Sequence, residues 1–263
     1  MRKPARRSAT SNTYRFFVAP TLIQGEQVDI DDPELAHQMA HVLRLQAADR
    51  VTLLDNTGWE YTVALTSLSR QRVLGHVEEQ RQARGEPQLE LRLYVALLKG
   101  ERFEWILQKG TELGVSSFVP LVCERGVVDE AGIRGTKLER WERIIREAAE
   151  QSRRGRLPEL HSPQQFKAAC GEIAQAQALL LWEGQGAPGL RDTLASGANA
   201  TLPRRPIALF SGPEGGWSDD EIATALMYNI TQISLGPRTL RAETAPLAAA
   251  AAIFYEFGDL GSG

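Results

Sequence analysis

The chain has 263 residues and a formal net charge of −3, with 43% hydrophobic and 24% charged residues, a globular balance with room for two modest domains or one large one. No apolar run reaches the roughly 20 residues that cross a bilayer, and the basic N-terminus (Arg2, Lys3, Arg6, Arg7) lacks the apolar segment of a secretory signal. Cys123 and Cys170 show no metal-type pairing, which fits a reducing cytoplasm.

Residues 1–12 are polar and read as a disordered tail. Short strands are expected at residues 14–18 and 27–30. Asp32 and Pro33 then open a helix as N-cap and first helical residue, with Leu35, Met39, Val42 and Leu43 on its apolar face. Strands follow at 50–54, 60–65 and 72–77, separated by the turns Asn56-Thr57-Gly58 and 67–71. This spacing suggests a small β-barrel over residues 13–80. Residues 78–87 are charged, contain Gly85 and Pro87, and read as a domain boundary.

From residue 88 onward strands and helices alternate, the pattern of an α/β domain reaching residue 263. A strand is expected at 91–98. A helix over 101–113 turns Phe103, Ile106, Leu107, Gly110 and Leu113 inward and closes at Gly114. A strand at 117–123 precedes a helix over 137–152. That helix carries Leu138, Trp141, Ile145, Ala148 and Ala149 on one face and Lys137, Arg140 and Arg143 on the other. Residues 134–156 hold eight basic residues against four acidic ones, ending in Arg153, Arg154 and Arg156. Such a patch can hold phosphates where the global charge cannot; a solvated helix face is the plainer alternative. A strand at 178–182 leads into a mostly irregular connection over 183–205. Two apolar strands near Ile207 and Ile233 each end in a Gly-Pro turn followed by a helix, over 218–228 and 243–257. Asn229 stands where the first of these must stop, and Asn suits a left-handed C′ position.

The two turns carry the densest chemistry. The first reads Gly212-Pro213-Glu214-Gly215-Gly216-Trp217. The second reads Ser234-Leu235-Gly236-Pro237-Arg238-Thr239-Leu240-Arg241-Ala242-Glu243-Thr244-Ala245. Glycine lets backbone approach a ligand, and loops after parallel strands are where open α/β sheets bind ligands. The macrodipole of a helix N-terminus and an Arg241 pairing would account for Glu243. Four charges (Glu214, Arg238, Arg241, Glu243) around two glycine-rich turns exceed what capping needs. Other patterns are weaker. Gly184-Gln185-Gly186-Ala187-Pro188-Gly189 matches G-x-G-x-x-G, but Pro188 interrupts it and Arg204-Arg205 stand where an acid is wanted, so it reads as a loop. His37 and His41 lack a third metal ligand. Cys123 has no His partner, and Ser211 is in no nucleophile elbow.

The two turn sequences resemble those of the SPOUT class of S-adenosylmethionine-dependent RNA methyltransferases, within it the 16S rRNA (uracil-N3) methyltransferase family. Lys99-Gly100-Glu101-Arg102 and residues 109–115 and 147–158 extend the likeness over most of the chain. Arg153 stands where that family commonly has Gly. The resemblance implies a C-terminal trefoil-knotted α/β domain behind a PUA-like RNA-binding barrel, a homodimer, and no metal or membrane. It implies S-adenosylmethionine wrapped by Leu181, Trp182, Glu183, Gly184, Ser211, Gly212, Pro213, Gly215, Gly216, Leu235, Gly236, Pro237, Arg238, Leu240, Arg241, Thr244 and Ala245. Arg154, Arg156 and Glu214 are the catalytic candidates. Arg140, Arg143, Arg153, Arg154 and Arg156 are the candidate contacts to small-subunit rRNA or the assembled 30S subunit. Another acceptor on the same fold (a ribose 2′-OH or a tRNA base), a non-catalytic RNA-binding protein and, more distantly, a nicotinamide enzyme stay open as alternatives.

Overall fold

In the computed structural model, residues 14–128, 133, 135–173, 176–184, 186–197 and 205–261 are described. The basic tail over residues 1–12, Arg134 and Arg204 lie outside them. The chain divides into two units: Met1–Arg84 together with Arg153–Arg156, and Gly85–Ser152 together with Leu157–Gly263.

The first unit is a six-stranded sheet of β1 (Arg15–Phe17), β2 (Ile23–Gln24), β3 (Gln27–Ile30), β4 (Arg50–Leu54), β5 (Trp59–Leu68) and β6 (Val73–Gln82), in the order β1-β4-β5-β6-β3-β2. Among the described residues only the β1–β4 pair of this sheet is parallel. No ladder joins β1 to β2 among the described residues, so hydrogen bonding does not close the expected barrel. Phe16, Val28, Ile30, Val51, Leu53, Val63, Leu65 and Val73 form its core with Met39. Glu60 is 5% exposed on β5. Arg15 at 2.6 Å and Arg81 at 2.5 Å supply the opposite charges that a buried carboxylate requires. α1 (Pro33–His37) starts as expected, Asp32 accepting from the N–H groups of Glu34 and Leu35. Residues Gln38–Val42 then widen into a π turn, Leu43 N–H bonding Gln38 O at 2.9 Å. The wider turn rotates the face, and Val42, expected inward, is 65% exposed. β6 runs five residues beyond the expected end at 77 because its ladder to β5 continues to Trp59↔Gln82. Backbone pairing holds this charged ribbon, which reads as linker in the sequence.

The second unit is a parallel sheet. Its strands are β7 (Leu91–Ala96), β8 (Ser117–Val122), β9 (Glu159–Leu160), β10 (Gln164–Gln165), β11 (Gln177–Leu181), β12 (Ile207–Ser211) and β13 (Thr231–Ile233). The order is β10-β8-β7-β12-β11-β13, with β9 also on β8. A sheet buried on both faces needs apolar residues at nearly every position, and β7 shows how they divide. Leu91, Leu93 and Val95 enter one core with Phe103, Ile106, Trp141, Ala249, Ile253 and Phe254. Tyr94 and Ala96 enter the other with Phe166, Phe210, Ala225 and Ile230. The first core takes α2 (Arg102–Leu113), α3 (Thr136–Gln151), α5 (Leu190–Gly197) and α7 (Thr244–Glu256). The second takes α4 (Phe166–Gly171) and α6 (Asp219–Met227). Asn229 ends α6 as expected, at φ 57. Its N–H bonds Leu226 O and that of Ile230 bonds Ala225 O, both at 3.0 Å, the paired bonds of a Schellman cap.

Candidate functional site

β12, β11 and β13 are adjacent and parallel, so Ser211, Leu181 and Ile233 reach the same edge of the sheet. The loops that leave them are bonded to one another. Trp217 Nε1 donates to Leu181 O at 2.9 Å, and the N–H of Trp182 donates to Ile233 O at 2.9 Å. Ser234 N–H reaches Pro188 O at 2.9 Å, and Leu190 N–H reaches Ser234 O at 3.0 Å. Segments around 181–184, 211–217 and 234–245, far apart in sequence, thus form one cluster at the carboxyl edge, where open α/β sheets take ligands.

The 212–217 loop is braced from several sides. A Cβ on Gly212 would lie 2.9 Å from the Trp217 ring, so only glycine lets the indole fold back to reach Leu181. Gly216 N–H closes a turn onto Pro213 O at 2.9 Å. Arg102, at the start of α2, meets Glu214 Oε1 at 2.9 Å. Arg125 packs on Gly215, where a Cβ would stand 3.1 Å from its own Cβ. Ser218 and Glu221 form a capping box at α6, and the other Glu221 oxygen accepts from Glu124 N–H at 2.9 Å. Arg102, Arg125, Trp217 and Glu221 brace this loop, a role that residue pattern alone did not assign. Arg102 is 112 residues from Glu214, so no local spacing links them. Cys123 is buried, and burial, then the nearby Glu221 charge, pushes its thiol above the ordinary range, which disfavours a reactive thiolate.

The 234–243 loop differs. Gly236, Pro237, Arg238, Thr239 and Arg241 are exposed. Gly236 holds φ 102, with its N–H on Ser234 Oγ at 3.2 Å. Arg241 stands 3.9 Å from Glu243, beyond hydrogen-bond reach.

The arginines divide between the units. On α3, Arg140 bonds Glu104 of α2 at 2.6 Å and Arg143 is exposed. α3 ends at Gln151, and Arg153 takes the left-handed turn at φ 65. Arg153–Arg156 then packs within the first unit. Gly155 lies against Ala83 and Gly58, and Arg156 Nε is 3.0 Å from where a Cβ on Gly58 would stand. Arg154, expected to face RNA or the target base, is 3% exposed, whereas Arg153 and Arg156 are exposed. Glu214 belongs to the second unit. The His37 and His41 rings lie 4.9 Å apart, and among the described residues no group of three or more metal-type ligands occurs.

Residues 85–254 match the model of an RNA methyltransferase domain. The chain is 39% identical to ribosomal RNA small subunit methyltransferase E of Synechocystis over 91% of this chain and 77% of that one. It is 33% identical to the Bacillus subtilis protein of the same name, over 90% and 91%. A crystal structure of ribosomal RNA small subunit methyltransferase E from Neisseria gonorrhoeae, bound to S-adenosyl methionine, superposes with a TM-score of 0.84 at 31% identity, covering 94% of this chain and 99% of that one. The chain belongs to the ribosomal RNA small subunit methyltransferase E family.

Proposed function

We propose that the chain methylates N3 of a uracil in the 16S rRNA of the small ribosomal subunit, with S-adenosylmethionine as donor, in the cytoplasm and as a homodimer with a knotted C-terminal domain. The observation that carries this is the bonded cluster of three loops at the carboxyl edge of β12, β11 and β13, on a chain alike over 94% of its length to a protein solved with S-adenosyl methionine. The loops suit that cofactor. Nothing lies within 4 Å of where a Cβ on Gly236 would stand, so backbone is open to a ligand there. The residues around Leu181, Gly212 and Leu235 offer main-chain donors and acceptors. When bound, S-adenosylmethionine supplies an electrophilic methyl carbon, and the protein's share is alignment and charge.

Uracil N3 is on the Watson–Crick edge and protonated at neutral pH, so the base must be unpaired and must lose a proton. Arginine suits the resulting anion, staying charged and presenting planar donors to the carbonyl oxygens. Arg156, the exposed member of the pair, takes that role, and the buried Arg154 orients its segment. Arg102 bonds Glu214 Oε1, and Glu214 remains the candidate proton acceptor. The first unit supplies affinity for RNA. Mass spectrometry of rRNA nucleosides from a strain lacking the gene tests the reading. Loss of 3-methyluridine from 16S rRNA, restored by the gene, is expected; an unchanged 3-methyluridine level with loss of another methylated nucleoside would replace the acceptor.

A further inference from the structure

Glu243 opens α7 as its N-cap, and its Oε2 is buried with no hydrogen-bond partner among the described residues. The helix dipole and the Arg241 pair both favour an acid here, but neither gives Oε2 a hydrogen bond. A capping side chain takes an N–H from the second or third helical residue. Here the second, Ala245, gives its N–H to Arg241 O at 3.0 Å, and the third, Pro246, has none. The side chain accordingly makes no capping bond. Arg241 pairs loosely with Oε1 and makes no hydrogen bond to Oε2. Arg241 is 81% exposed at the side chain and 3.9 Å away, and Arg238 also faces solvent. A carboxylate only accepts hydrogen bonds, and although the Glu243 side chain is 16% exposed, its buried Oε2 has no partner among the described residues and calls for an explanation. Its neighbours in the chain are the exposed loop 234–241 and the first turn of α7, which belong to the cluster described above.

We propose that Glu243 binds a cationic group of the cofactor, its Oε2 accepting the contact that none of the described residues provides. This rests on S-adenosylmethionine as the donor. That molecule carries two cations, the sulfonium and the α-ammonium, and its demethylated product keeps only the ammonium. A carboxylate beside the sulfonium favours substrate over product, helping product to leave. One beside the ammonium holds both alike.

Isothermal titration of the full-length protein with S-adenosylmethionine and, separately, S-adenosylhomocysteine tests this without relying on turnover. Glu243→Gln keeps the shape and removes the charge. It should weaken S-adenosylmethionine by about tenfold or more, the scale of one charge-assisted hydrogen bond. A similar loss for S-adenosylhomocysteine identifies the ammonium; retention within about twofold identifies the sulfonium, and either supports the proposal. Glu243→Ala is measured alongside, with melting curves for each variant. If either neutral variant, folded, binds both ligands as wild type does, Glu243 is not a cofactor ligand. Wild-type protein that binds neither would overturn the cofactor assignment itself, and this proposal with it.

Discussion

The two glycine-rich loops at the carboxyl edge look alike in sequence and are held differently. In 212–217 the charges and rings are satisfied within the protein: Glu214 by Arg102, Trp217 by Leu181, Glu221 by Ser218 and Glu124. In 234–243 Arg238 and Arg241 reach into solvent and one oxygen of Glu243 has no partner among the described residues. The first loop is fixed by contacts within the protein. The second leaves more of its bonding capacity unused. Their glycines follow suit. Gly212 is required by space, since a Cβ would strike Trp217, whereas Gly236 is required by backbone angle, with open space around it.

Gly212→Val is the strongest way to break the fixed wall. It would drive the indole off Leu181, and such overpacking costs about 1–3 kcal/mol. Cofactor affinity should fall at least tenfold by calorimetry, with a lower melting temperature; wild-type affinity in a folded protein would show that the wall does not touch the ligand. Gly236→Ala should cost about 1 kcal/mol of stability for its left-handed backbone without a clash. Asn at the same position should recover much of that loss, an ordering that thermal melts can check. Arg102→Ala loosens the wall by less. The Arg102 and Glu214 side chains are 47% and 29% exposed, so a double-mutant cycle with Glu214→Ala should give a coupling of at most about 1 kcal/mol, falling as salt rises. A coupling that does not respond to salt would mean that the pair is not held by charge. The smallest effect lies outside both loops. Arg153→Gly should raise stability by a few tenths of a kcal/mol, because glycine holds a positive φ without the Cβ penalty but entropy in the unfolded chain offsets part of the gain.

Local rules made much of the second unit legible. The inward face of α3, Trp141, Ile145, Ala148 and Ala149, is buried as its periodicity requires, and Asn229 caps α6 as its residue type requires. Both depend on neighbours within a few positions. The misses depend on distance or on backbone geometry that side chains do not advertise. The π turn that puts Val42 outside has no sequence mark. The end of β6 is held by its partner strand and not by its charged side chains. Arg102 and Glu214 meet across 112 positions. The short segment Arg153–Arg156 looks like the tail of α3, yet it packs within the first unit because Gly155 lets it sit against Gly58 and Ala83. At the site, the motif residues were legible because they are contiguous, and the braces behind them were not because they come from other elements.

The most direct test of the account is transfer of a labelled methyl group from S-adenosylmethionine by the purified protein to small subunits, or to their rRNA, from cells lacking the gene. The account predicts label in 16S rRNA recovered as 3-methyluridine. Label recovered in a ribose, in another base or in tRNA would contradict it.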